Sequence, residues 1–181
     1  MNNRKEPWEA YTDVWPTKSA FFAWLRGGLR KAIWQFYPPK IKFKNALCKP
    51  PPLGYTGRAK SGASCSLTGE WTGKSMLEVD HIVGHVSLRE WEDVLGFIQH
   101  LCTASDNMAL VSKEAHKIKS YAERMGIPFE EAVIEKKIIA LMKDRKKCLV
   151  MLEEHGYDTK TLKNETKRRE ALRQIFKGEQ I

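Results

Sequence analysis

Apolar residues at Phe22, Leu25, Leu29, Ile33 and Phe36 recur every three or four positions through TKSAFFAWLRGGLRKAIWQFYPP, the spacing of one buried helix face. Pro38 and Pro39 are expected to end that helix, and Gly27–Gly28 to weaken or kink it. Arg26, Arg30, Trp34 and Tyr37 fall on a second line of the same helix, where cations and rings share a face suited to phosphates. Trp24 and Trp34 read equally well as core. Residues 38–64, with Pro50–Pro52 and several glycines, predict an extended, irregular connector. After the turn signals of CSLTGEWTGKS, the pattern changes to a short strand over Met76–Ile82. The SLRE capping box at Ser87–Glu90 predicts a helix from there to about His100. A second strand is expected over Asn107–Val111, then a helix capped by Ser112 and stopped near Met125 by Gly126. Beyond Pro128 the chain reads as a helical buttress, burying Phe129, Val133, Ile138, Leu141 and Met142, with a last helix after Asn164.

These 181 residues suffice for one ordinary domain with extensions. No apolar run approaches the roughly 20 residues of a membrane span, and MNNRKEPWEAYTD lacks a signal-peptide pattern, so the expectation is a soluble protein in the cytoplasm. Cys48, Cys65, Cys102 and Cys148 form no CxxC pair and read as reduced thiols. Charge changes the picture more. The net charge is +9, and residues 14–69 alone hold ten Lys or Arg with no Asp or Glu, leaving −1 for the remainder. A concentrated positive excess of this kind is the footprint of a polyanion-binding face.

Chain order then becomes informative: a strand ending in Asp80-His81, an inserted helix, Asn107 opening a second strand, and His116 in the following helix. Through LEVDHIV and NMALVSKEAHKIKS, with nine positions from Asn107 to His116, the sequence resembles the HNH nucleases and their ββα-metal motif. The flanking stretches WPTKSAFFAWLRGGLRKA and CSLTGE are similar to HNH proteins of phage genomes. The resemblance covers a quarter to a third of the chain. It departs from the family where two CxxC zinc pairs often stand, since here Cys65 faces Thr68 and Ser112 faces Ala115 in the pattern, so no structural zinc is expected.

The resemblance implies an α+β fold, mostly helical around a central ββα-metal motif, in three parts: a basic, aromatic-rich DNA-binding segment at 1–64, a nuclease core at 65–126 and a helical extension packing on it at 127–181. It implies His81 as general base, Asn107 as the residue bracing the hairpin, and Asp80 with His116 as ligands of one divalent ion, magnesium or manganese first, nickel or zinc as alternatives. Strand alternation by itself separates Asp80 from His81, and the family geometry at the strand end is what brings both to the cleft. His85 reads either as an extra ligand or phosphate contact or, more simply, as a loop histidine; His100 reads as packed or surface. Arg26, Arg30, Lys31, Lys40, Lys42, Lys44, Arg58 and Lys60, joined by Lys117 and Lys119, are the candidate nucleic-acid contacts. The partner implied is double-stranded DNA, with no membrane, the protein acting as monomer or homodimer and with other phage proteins as further candidates. Homing, nicking and genome-processing roles stay open. The alternative is a DNA-binding protein without catalysis on the same scaffold.

Overall fold

The computed structural model describes residues 4–84 and 86–178, which form helices and two small antiparallel sheets, an α+β fold. The chain divides into two compact units, 1–113 and 114–181.

In the first unit, α1 (Pro7–Ala10) is closed by a Glu6–Glu9 capping box. Thr17 caps α2 (Lys18–Leu29), its side chain accepting from the Ala20 amide at 3.1 Å. Phe21 and Phe22 are buried, and Leu25, Leu29 and Ile33 pack with them against Leu88, Phe97 and Leu101. The expected apolar face therefore forms, apart from Phe36, which stays 64% exposed. The helix runs through Gly27–Gly28 and widens at Arg30–Trp34 into a π turn, in which the Gln35 amide reaches the Arg30 carbonyl.

Pro38 and Pro39 do stop this helix, but they also start another, α3 (Pro38–Leu47), where an extended connector was expected. The first helical turn has amides with no intrahelical partner, so proline costs nothing there and its fixed φ suits the helix. Composition cannot distinguish the two uses.

β1 (Gly62–Ser64) and β2 (Trp71–Gly73) pair as a hairpin around the CSLTGE turn. A side chain at Gly62 would meet the Thr72 carbonyl at 2.1 Å, so this pairing needs glycine. β3 (Leu77–His81) follows, with Leu77 and Val79 buried. The helix expected from Ser87 begins later, as α4 (Asp93–Leu101). The Asp93 carboxylate accepts from the amides of Arg89 and Glu90, at 2.7 and 3.2 Å, and holds the residues before the helix as a turn. β4 (Met108–Ser112) returns antiparallel to β3 in the register Leu77↔Ser112, Asp80↔Ala109 and His81↔Met108. Its buried residues Met108 and Leu110 join Leu77 and Val79, covered by Trp34, Tyr37 and Phe43.

α5 (Lys113–Met125) leaves β4 without an intervening loop and ends at Gly126, whose φ of +65° lets the Ile127 amide reach back to the Ala122 carbonyl. In the second unit follow α6 (Phe129–Met142), α7 (Arg145–Glu154) and α8 (Glu165–Gly178). Asp144 interrupts the helical run after Pro128 by capping α7, accepting from the amides of Lys146 and Lys147. Ile134, Ile138, Cys148, Leu152, Leu172 and Ile175 make the core, with Leu141 and Met142 against it. Phe129 and Val133, expected inside, remain partly exposed, because α6 presents Ala132, Ile134, Glu135 and Ile138 as its buried face. Glu135 is buried with Arg173, whose Nε lies 2.8 Å away, and with Arg169 at 3.6 Å. Two of the last helix's cations are thus held by a carboxylate.

Candidate functional site

β3 alternates to its last residue. Leu77, Val79 and His81 are buried while Glu78 and Asp80 are partly exposed, so His81 sits on the core face and Asp80 on the opposite one. The expected gathering of both at the strand end is therefore not a matter of a shared face. What the hairpin end does is place Asp80, His81 and Asn107 within one turn of chain, since Asn107 directly precedes His81's partner Met108.

The imidazole of His81 is 8% exposed and lies between two rings, Trp34 at 4.1 Å and His100 at 4.2 Å between centroids, both within 28° of parallel. Its Nε2 is 3.1 Å from the His100 carbonyl. A carbonyl only accepts, so Nε2 carries the proton and Nδ1 is the basic nitrogen of the ring. Three separate elements set this orientation: the π turn through Trp34, β3 through His81 and the last turn of α4 through His100. Burial lowers the pKa of His100, the nearby Arg30 charge lowers it further, and Asp80 acts in the opposite direction. His100 is accordingly neutral at neutral pH, which suits its stack on a second imidazole.

Asn107 clamps the chain just past His81. Its carbonyl accepts from the Ile82 amide at 3.0 Å, its Oδ1 from the Val83 amide at 2.8 Å, and its Nδ2 donates to Thr103 Oγ1 at 3.2 Å. A side-chain amide is suited to this bracing because it donates and accepts from one planar group.

Trp34 and His100 are the residues that sequence reasoning left undecided. The signal that could have marked Trp34 was its place one turn beyond Arg26 and Arg30. Tyr37, on the same line, donates its hydroxyl to the Cys102 carbonyl at 2.9 Å and anchors this corner to the end of α4. Lys40 turns inward, donating to the Trp34 carbonyl at 2.9 Å with its ammonium 4.8 Å from the Trp34 ring, and Lys44 donates to the Leu77 carbonyl. Burial lowers the pKa of both lysines. These two cations brace the site, whereas Lys31, Lys42, Arg58 and Lys60 are exposed and Arg26 is partly so. Arg30 lies over the Phe97 ring at 5.7 Å.

Cys65, in the turn where the family pattern often has a zinc pair, is buried, and its sulfur accepts from the Ser112 amide at 3.3 Å. Burial would raise its pKa, but hydrogen bonds from the Ser112, Leu67 and Thr68 amides and the Thr68 hydroxyl outweigh it and lower the thiol to about 7. His116 lies partly exposed on α5 in the second unit, with Lys117 exposed beside it and Lys119 paired to Glu123 at 3.7 Å. His85 falls outside the described residues. Among the described residues no three His, Cys, Asp or Glu side chains cluster as a metal site, and the expected ligand pair, Asp80 and His116, belongs to different units. No helix among the described residues is long and apolar enough to cross a membrane. The chain matches no family model, no curated protein and no solved structure.

Proposed function

We propose that the protein is a metal-dependent DNA endonuclease of the HNH type, with His81 as general base. The observation that carries this reading is the orientation of His81. A base must have its tautomer fixed and its ring held, and the Nε2–H bond to the His100 carbonyl with the two flanking rings does both. Nδ1 would take a proton from the water that attacks phosphorus, as the new P–O bond forms and the bond to the leaving oxygen breaks. Asn107 would keep the Ile82–Val83 loop, and with it the mouth of the site, in place. The exposed cations of the N-terminal segment would neutralise strand phosphates.

The donor types fit a divalent ion: a partly exposed carboxylate at Asp80 and a partly exposed imidazole at His116 are oxygen and nitrogen ligands that accept magnesium, manganese, nickel or zinc. That pairing rests on the order of residues in the sequence. Such an ion supplies charge stabilisation for the pentavalent phosphorus and the leaving oxygen.

One observation favours a second reading. With both faces covered and 8% of the residue exposed, His81 also suits a structural histidine in a DNA-binding protein without catalysis. Incubation of the protein with supercoiled plasmid in magnesium, manganese, nickel or zinc separates the two. Relaxation or linearisation that stops with EDTA and falls roughly 10²- to 10⁴-fold in His81→Ala is expected of a lost general base. DNA binding without cleavage in every metal establishes the second reading instead.

A further inference from the structure

The second unit carries a cluster of charge that the site above does not use. Lys117, Tyr121 and Arg124 follow one another at helical spacing along α5, and with His116, Ser120 and Lys136 of α6 they line a pocket of about 310 Å³. Its lining holds three permanent cations and no carboxylate. Elsewhere in this unit cations are answered: Glu123 pairs with Lys119, and Glu135 with Arg169 and Arg173. Here the Tyr121 ring does the holding, with the Lys136 ammonium 4.6 Å and the Arg124 guanidinium carbon 5.5 Å from its centroid. A ring face attracts a cation without cancelling its charge. The pocket thus keeps its full positive field, beside a phenol and a serine hydroxyl that can donate.

Like charges gathered without an acid repel one another in the folded state, and an anion relieves that repulsion. Three cations converging with hydroxyl donors match a tetrahedral group with several oxygens better than they match a lone carboxylate. We propose that this pocket binds a backbone phosphate of a nucleic-acid strand. The phosphate chemistry stands on the pocket alone; that the phosphate belongs to DNA rests on the nuclease reading.

The test uses the full chain and a fluorescent DNA duplex, with affinity followed by anisotropy over a sodium chloride series. Arg124→Gln with Lys136→Gln is expected to weaken binding roughly tenfold at moderate salt, and to reduce the slope of log affinity against log salt by about two, since each phosphate contact contributes about 0.9. Lys136→Arg should retain both. Should the double variant fail to fold by circular dichroism, Lys117→Gln at an exposed position should reduce the slope by about one. Unchanged affinity and slope in a folded variant overturn the proposal. Inorganic phosphate distinguishes the sources: at matched ionic strength it should displace DNA more effectively than chloride, and lose that advantage in the double variant. If phosphate binding depends on Arg124 and Lys136 while the DNA slope does not, the strand assignment is overturned. The outcome is separable from the nuclease reading, because plasmid cleavage and His81→Ala do not involve these cations.

Discussion

His81 takes its chemical character from neighbours distant in sequence. A histidine beside an aspartate has no defined tautomer until another group fixes it, and here the group is a carbonyl nineteen positions on. Asn107 contributes at the same scale, and Asn107→Ala should slow cleavage by roughly 10- to 100-fold, the usual effect of losing a supporting hydrogen-bond partner, while leaving DNA affinity unchanged. An unaltered rate would show that the clamp does not orient the site. Cys65 offers a test independent of function. Its pKa is lowered from 9.0 to about 7 in the fold, so the thiolate's contribution is fully present above about pH 9 and is lost as pH falls through about 7. The difference in Tm between the protein and Cys65→Ala should therefore be wider at about pH 9 than at about pH 6. A constant difference would mean that the thiol stays protonated.

Elements show where periodicity sufficed. α2 buries Phe22 and packs Leu25 and Leu29, and α5 starts and stops within a residue or so of the Ser112 and Gly126 signals, because caps and stop residues act through bonds inside the element itself. α3 was illegible for a related reason: whether a proline pair ends a helix or begins one depends on what packs against the residues after it. The start of α4 moved because Asp93 competes for the amides that the SLRE pattern would have used. In α6 the outcome turned on Glu135, a charged residue that is buried because α8 presents Arg173. Arg173→Met should cost about 3 kcal/mol in urea unfolding, the usual penalty for stranding a buried charge, and adding Glu135→Leu should restore most of it. If the double variant is no more stable than the single one, Glu135 is not strained by losing its partner.

For the whole molecule the charge distribution makes the clearest statement. If the exposed candidates Arg26, Lys31, Lys42, Arg58 and Lys60 meet phosphates, the logarithm of DNA affinity should fall with the logarithm of salt at a slope of at least about −4. A slope near zero would leave the segment as a solvated surface. This measurement tests the basic face under both the nuclease and the non-catalytic readings, and so complements the plasmid assay.

Sequence alone determined the α+β class, the hairpin with its long insertion, and the positive charge concentrated between residues 14 and 69. Those are local or additive properties, readable from alternation, capping and counting. Only the tertiary structure decided that Trp34 and His100 enclose His81, that Lys40 and Lys44 turn inward to backbone carbonyls, and that Tyr121 holds two cations over its ring. Each of these depends on elements far apart in the chain meeting at one point. A side chain's partner, unlike its helix or strand, is set by packing between elements, and periodicity within one element carries no record of it.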